Sequence, residues 1–371
     1  MEGSLKIGRI FGIPIGLHYS WFFIFGLVTW SLAAGLLPAE YPELGTEVYW
    51  LLGLITSLLF FGSVLVHELA HAVVARLHQV PVSGINLFIF GGTAEMTREP
   101  RSAVAEFRIS AAGPIASFIL SIFFFGLWLL DQHISYLAAP SIWLARINLM
   151  LAAFNLIPGF PLDGGRILRA FIWWKTGNLY RATKIATYSG QFTAFGFVGL
   201  GIATMITGGF FSGLWLVFIG WFLQNAAVAS YADSALRNSL VGVRVEQAMS
   251  REVTLVPPLT PVSRLVEERV LPGGEQYFFV GENDQPQGLI TLADILSLPE
   301  RKWRFLTAQQ LMAPLGRLRT VEPEDEMTLA LELMEDGKTN HVPVVKDGQV
   351  VGLVSRTQIA NYVRLKAELG V

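Results

Sequence analysis

The chain has 371 residues, of which 52% are hydrophobic and only 15% are charged. Soluble domains carry about 25% charged residues, so this composition indicates a membrane protein with room for two or three domains. The formal net charge of −2 gives no basis for binding nucleic acid, and the absence of cysteine excludes disulfides and thiolate metal sites.

Six apolar stretches approach or exceed the length of about 20 residues that a membrane span requires. In chain order they are Leu17–Leu36, Val48–Leu77, Ala105–Leu130, Ile142–Ile157, Ala182–Thr207 and Phe210–Ala232. The fourth is short and runs into a segment rich in proline and glycine, and Gly113-Pro114 in the third is expected to give a kink and close helix packing. After Asp233 the composition changes to that of a soluble α/β domain. The sequence therefore predicts a polytopic α-helical membrane domain, residues 1–235, followed by a soluble domain, residues 236–371.

The distribution of Lys and Arg among the connecting loops indicates how the spans are oriented. Basic residues lie before the first span, between the second and third, and between the fourth and fifth. The remaining loops, Pro38–Glu47, Asp131–Ser141 and Gly208-Gly209, contain none. We therefore expect a multi-pass protein of the cell membrane with both termini in the cytoplasm. Arg146, near the outer end of the fourth span, is the one charge that does not fit this pattern.

The second span contains the segment His67-Glu68-Leu69-Ala70-His71. On a helix, H-E-x-x-H places two imidazoles one turn apart on one face, where they suit one zinc ion, with a glutamate beside them as a base. Ionisable side chains at membrane depth are costly, so their presence points to a function. At about 1.5 Å per residue, His67 lies roughly 13 Å inside the membrane from Arg76, the first charge at the end of the helix.

The stretch between the second and third spans does not have a helical pattern. Ile85–Phe90 followed by Gly91-Gly92 is typical of a short strand and a turn, and Ile7–Ile15 could pair with it. Backbone of this kind at membrane depth is tolerated where protein or a water-filled cavity covers it. We therefore expect a short membrane-embedded β-hairpin or sheet beside the six helices.

Two histidines do not complete a catalytic zinc site, which takes three protein ligands and one water. The best remaining donor is Asp163, which follows Pro158 and Pro161 and precedes Gly164-Gly165. The prolines end the fourth helix, and the glycines let the backbone turn tightly around the carboxylate. An aspartate just after a broken membrane helix needs a charge partner, and zinc is the obvious one.

Together these motifs resemble those of the site-2 protease family of intramembrane zinc metalloproteases. The resemblance rests on His67-Glu68-x-x-His71 in a membrane helix and on Asn155…Pro158…Pro161…Asp163-Gly164-Gly165 further along the chain. Gly91-Gly92-Thr93-Ala94, Gly113-Pro114 and the six spans resemble the bacterial and archaeal branch that carries a C-terminal CBS pair.

The resemblance implies hydrolysis of a peptide bond inside the bilayer. One Zn²⁺ would be held by His67, His71 and Asp163, with Glu68 as the base and Asn155 as the donor to the oxyanion. The implied substrates are single-span membrane proteins. Because a helical substrate must unwind before it is cut, we expect the strand Ile85–Phe90 to capture the unwound segment by strand addition.

Residues 245–371 contain an internal repeat. Val245–Met249 matches Ala308–Met312, and Gly288–Thr291 matches Gly352–Ser355 with the same phase. The strand-helix-strand pattern resembles tandem CBS domains, at about 242–300 and 305–367. Such pairs commonly bind adenine nucleotides, with a Ser or Thr on the phosphate and an Asp three residues later on the ribose.

This resemblance implies one nucleotide site more readily than two. The first repeat has Thr291 and Asp294, whereas the second has Ser355 but carries Gln358 where the aspartate is expected. The alternative is a packing module without a ligand, which could form a homodimer. As a hypothesis, nucleotide or partner binding here gates access to the membrane site.

Two other functions fit part of the pattern. An ion transporter regulated by CBS domains could line its path with His67, His71 and Asp163, but it would have no need of a base at Glu68. A pseudoprotease could bind helices without cutting them, but the catalytic set is intact. The sequence therefore favours an intramembrane zinc endopeptidase.

Overall fold

A computed structural model of the chain describes residues 4–89, 91–96, 98–282, 285–337 and 339–369. The chain divides into two compact units, Met1–Ala235 and Leu236–Val371. Within the described residues, six helices of the first unit are long and apolar enough to cross a membrane, as the sequence predicts. In chain order the helices of this unit are α1 Tyr19–Glu40, α2 Thr46–Leu77, α3 Ala103–Asp131, α4 Ser135–Asn155, α5 Asp163–Thr176, α6 Leu179–Ile206 and α7 Phe210–Ser239, of which α5 is not a span.

Helix α5 differs from the predicted pattern, which had only a charged connection between the fourth and fifth spans. It is a 14-residue helix that begins at Asp163. Gly164 and Gly165 permit its close approach to the preceding turn, because a Cβ on either would collide with backbone atoms of residues 156–160. Paired glycines are typical of loops, and for this reason the sequence did not predict a helix here.

Helix α4 also differs, since it begins at Ser135 rather than at Ile142. Pro140 lies within its second turn and removes one backbone hydrogen bond without ending the helix. Arg146, the charge that did not fit the loop pattern, lies with its Nη1 3.5 Å from Oε1 of Glu40, the last residue of α1. This pairing gives the charge a partner.

A four-stranded sheet accompanies these helices, in the order β1 Ser4–Ile10, β2 Ile13–His18, β3 Val82–Phe88 and β4 Gly91–Met96. The segment predicted to pair with the Ile85–Phe90 strand, Ile7–Ile15, is part of a hairpin that turns at Phe11 and Gly12, both at positive φ. Only β2 reaches β3, with which it pairs in parallel. The predicted strand Ile85–Phe90 ends at Phe88, and Phe90 lies outside the described residues.

The position of each strand in this sheet matters for function. Strand β3 is internal, because it pairs with β2 on one side and with β4 on the other. Strand β4 is an edge strand of the described sheet. One face of the sheet is apolar and packs on α2, with Ile13 and Ile85 fully buried.

The second unit contains six strands and several short helices among its described residues. Strands β5 Leu255–Val256, β6 Tyr277–Glu282, β7 Gln285–Thr291 and β8 Ala313–Pro314 form one sheet, and β9 His341–Lys346 pairs with β10 Gln349–Ser355. The helices are α8 Val262–Leu265, α9 Leu271–Gly273, α10 Leu292–Leu296, α11 Ala308–Leu311, α12 Met327–Gly337 and α13 Arg356–Leu369, with single turns at Val245–Gln247, Val266–Val270, Glu300–Lys302 and Leu315–Arg317.

The two sequence repeats of this unit exchange short segments. Ser250, which follows the first copy of the repeated segment, pairs with Leu353 of β10 in the second repeat. Strand β8, which follows the second copy, pairs with β7 in the first repeat. Phe279 and Leu289 of the first repeat also pack with Leu353 of the second. The repeats therefore form one interlocked unit.

Candidate metal centre

His67, His71 and Asp163 meet at one point in the membrane unit. The histidines lie one turn apart on α2, and Asp163 is the first residue of α5. Nε2 of His71 lies 3.2 Å from Nε2 of His67, and Oδ2 of Asp163 lies 3.3 Å and 3.1 Å from Nε2 of His67 and His71, respectively. Both imidazoles are buried, and the Asp163 side chain is 16% exposed. The tertiary structure thus brings Asp163 to two histidines that precede it by 96 and 92 residues, and together they offer three atoms that could hold a metal ion.

The geometry of this cluster fits zinc. Ligand atoms at about 2.0–2.1 Å from a tetrahedral zinc lie roughly 3.3 Å from one another, which matches these separations. Nδ1 of His71 lies 2.7 Å from the carbonyl oxygen of Ile109, and Nδ1 of His67 lies 2.8 Å from Oγ of Ser117. A carbonyl oxygen only accepts, so Nδ1 of His71 carries the proton and Nε2 presents the lone pair that a metal needs.

Glu68 lies beside the cluster and is held by the sheet. Its Oε2 accepts a hydrogen bond from the backbone N–H of Ala94 in β4, with an N···O distance of 3.1 Å. Gly92 permits this approach, because a Cβ there would lie 2.5 Å from Cγ of Glu68. The Gly91-Gly92 turn therefore positions the glutamate as well as ending the strand.

Asn155 is the last residue of α4 and lines the same cavity as the three ligand atoms and Glu68. This cavity has a volume of about 980 Å³, and residues 91–94 of the sheet form part of its wall. The Asn155 side-chain amide makes no hydrogen bond to any other residue that the structure describes. Its N–H groups are therefore available to a molecule in the cavity.

Gly113 has a role in the site that the sequence did not reveal. A Cβ at this position would lie 2.6 Å from Nε2 of His67 and closer still to Nε2 of His71. Helix α3 therefore passes directly against both imidazoles, and Ile109 and Ser117 of the same helix supply their hydrogen-bond partners. The Gly113-Pro114 pair was the visible signal, but its neighbours could not be inferred from it.

A buried ion-pair network lies next to the turn that carries Asp163. Nε of Arg169 in α5 lies 2.5 Å from Oε1 of Glu106 in α3, and its Nη2 contacts the same oxygen. Its Nη1 lies 3.3 Å from Oε1 of Glu99, and its guanidinium carbon lies 5.3 Å from the centre of the Phe160 ring. Arg169 is only 4% exposed, although the sequence placed it in a charged connection. The network joins α5 to α3 and to the segment after β4.

The residues predicted to contact a nucleotide form helix caps in the second unit. The backbone N–H and Oγ1 of Thr291 donate to Oδ2 of Asp294 at 2.8 Å and 2.7 Å, and the Asp294 N–H donates to Oγ1 of Thr291. In the second repeat, Ser355 and Gln358 make the corresponding pair. Both pairs therefore have a structural role at the starts of α10 and α13.

Comparison with known proteins agrees with this geometry. Residues 55–138 and 131–197 match Peptidase family M50, and residues 308–365 match the CBS domain. Rip3 of Mycobacterium tuberculosis, named as a candidate zinc metalloprotease, is 34% identical over 371 residues, which cover 98% of this chain and 93% of the relative.

The alignment with a second relative covers both proteins almost completely. The zinc metalloprotease MJ0392 of Methanocaldococcus jannaschii is 29% identical, over 100% of this chain and 99% of its own. Among solved structures, the site-2 protease from Methanocaldococcus jannaschii is 32% identical with a TM-score of 0.41, covering 62% of this chain and 95% of that protein.

Proposed function

The chain belongs to Peptidase family M50, the site-2 proteases, and from this premise we propose that it cuts single-span membrane proteins within their transmembrane segments. It is a multi-pass membrane zinc metalloprotease with a CBS domain at its C-terminal end. The observation that carries the proposal is the convergence of His67, His71 and Asp163 on a membrane helix, with the Glu68 carboxylate beside them in one cavity.

We propose that His67, His71 and Asp163 are the zinc ligands and that Glu68 is the general base. Bound here, zinc would polarise the scissile carbonyl and lower the pKa of a water molecule to about 7. Glu68, oriented by the Ala94 amide, would take a proton from the attacking water and pass it to the leaving amine. The Asn155 amide, which makes no hydrogen bond to a described residue, donates to the carbonyl oxygen as negative charge develops there.

We propose that the substrate is held by strand addition to β4. The expectation that the Ile85–Phe90 strand captures it is wrong, because β3 is paired on both sides and has no free edge. The Ala94 N–H that donates to Glu68 points away from β3, so the free edge of β4 faces the metal cluster. An unwound segment paired with β4 would expose its carbonyl groups beside Glu68.

The test of this function is cleavage of tagged single-span substrates co-expressed with wild type or with Glu68→Gln. We expect a fragment that ends inside the span with wild type only, while both proteins bind one zinc per chain. Glu68→Gln keeps the shape of the side chain and removes the base. Absence of both fragment and bound zinc in the wild type would overturn the proposal.

We propose that both termini are cytoplasmic and that the CBS unit regulates the protease. The basic loops support this orientation, and cysteine labelling at introduced sites in the loops would test it. Thr291, Asp294 and Ser355 are the candidates for contacting an adenine nucleotide, and the second repeat, with Gln358, is the weaker half of such a site. Calorimetry with ATP, ADP and AMP tests binding, and the molar mass in detergent tests for a homodimer.

A further inference from the structure

The two faces of the sheet differ in chemistry at its edge strand. Along β4, side chains alternate between the faces. Gly92 and Ala94 lie on the face toward Glu68, and Thr93 and Glu95 lie on the opposite face, together with Asn86 of β3. On that opposite face a second, open cavity of about 610 Å³ is lined by Asn86, Thr93, Glu95 and polar groups of the N-terminal hairpin and α1.

This second cavity, here called the outer-face pocket, has a mostly apolar lining that carries the Glu95 carboxylate. The two carboxylate oxygens of Glu95 accept from Nδ2 of Asn86 at 2.7 Å and from Oγ of Ser83 at 3.1 Å. Each oxygen keeps a further acceptor direction. Within the described part of the chain, no Lys or Arg pairs with Glu95, whereas Oδ1 of Asn86 is buried against Gly16 of β2. The pocket thus holds a carboxylate that forms no salt bridge to a Lys or Arg among the described residues.

A strand added to the free edge of β4 would divide its side chains between the same two faces. The side chains on the Glu68 face would meet the small residues Gly92 and Ala94. The alternate side chains of the added strand would enter the outer-face pocket beside Thr93 and Glu95. Cross-strand neighbours have Cβ atoms about 4.5–5.5 Å apart, which is within reach of a charge pair.

Resting on the proposed strand addition, we propose that Glu95, with Thr93 and Asn86, is a specificity subsite that selects a lysine or arginine in the substrate segment next to the cut. An ammonium or guanidinium group there would form charge-assisted hydrogen bonds to the Glu95 carboxylate, which Nδ2 of Asn86 holds in place. An acidic side chain would face a like charge. Lys and Arg are enriched at the cytoplasmic ends of membrane spans, so single-span substrates commonly carry such residues.

The test uses the full-length protein in liposomes and a neutral substrate into which Lys, Gln or Glu is placed at successive positions around the cut. At alternate positions, those that enter the outer-face pocket, wild type should cleave the Lys substrate roughly 3- to 30-fold faster in kcat/KM than the Glu substrate. The difference should lie mainly in KM, because the charge pair is the same in the bound substrate and the transition state. Glu95→Gln should flatten this preference, and Glu95→Lys should reverse it.

The matched control is Glu252→Lys, which makes the same charge change at an exposed carboxylate of the second unit and should leave the preference unaltered. A purely structural role for Glu95 would lower cleavage of the Lys, Gln and Glu substrates by one common factor. That result, or a preference without two-residue periodicity, overturns the subsite. Failure of wild type to cut even the Gln substrate, with no difference from Glu68→Gln, would instead count against the proposed protease function.

Discussion

The close approach of α3 to the two histidines predicts that Gly113→Ala disrupts the metal centre. Ordinary contacts to a Cβ begin at 3.4 Å, whereas the new Cβ would lie 2.6 Å from Nε2 of His67, so that ring must move by about 0.8 Å and His71 by more. The hydrogen bonds of both rings to Ser117 and Ile109 on the same helix oppose this movement. A displacement of about 1 Å at a reacting centre costs on the order of 100-fold in rate.

We therefore expect Gly113→Ala to reduce kcat/KM about 100-fold and to weaken zinc binding, measured by metal analysis of the purified protein and by substrate cleavage. Gly126→Ala is the matched control, because it lies in the same helix and a Cβ there meets nothing within 4 Å. It should retain both zinc and activity. Zinc content and cleavage within threefold of wild type in Gly113→Ala would refute this reasoning.

Three further predictions concern other parts of the chain. Arg169→Leu leaves the buried Glu106 without its cation and should lower the free energy of unfolding by about 3–5 kcal/mol, measured by thermal unfolding. The control is Arg264→Ala, which removes an exposed ion pair and should change the free energy of unfolding by less than about 1 kcal/mol. Burial holds the pKa of His341 below its usual value, so the unfolded chain binds the proton more readily and the second unit should lose stability as pH falls below about 6.5. Amide hydrogen exchange in β9, corrected for the intrinsic effect of pH on exchange rates, should show this loss of stability. His341→Gln should reduce the dependence of this stability on pH. Asn155→Ala should lower kcat about 100-fold with zinc content unchanged. An equal loss of kcat in Asn155→Asp would support a role for the side-chain amide as a donor. Full activity of Asn155→Ala would argue against that role.

Several features of this protein follow from local sequence pattern. The six spans are visible because the length of an apolar run and its lack of charge are properties of contiguous residues. The spacing of His67, Glu68 and His71 sets their relative placement, because any regular helix puts residues four apart on one face. The CBS repeat is likewise visible as two matching segments at a constant phase. These conclusions need no knowledge of which elements touch.

The tertiary structure decided what depends on packing between elements. Asp163 could be nominated from its glycine- and proline-rich surroundings, but its distance from the two imidazoles depends on how α5 packs against α3. Gly113 lies against both histidines only because α3 crosses α2 at that point.

The same reason explains why the prediction that Ile85–Phe90 receives an added strand was wrong. A sequence pattern can indicate a strand, but strand order determines which edge remains free, and that order arises from long-range pairing between the N-terminal hairpin and β3. The burial of Arg169 also depends on Glu106 and Glu99, which belong to other elements. Local pattern thus identified the chemistry of the candidate site, and long-range packing determined its geometry.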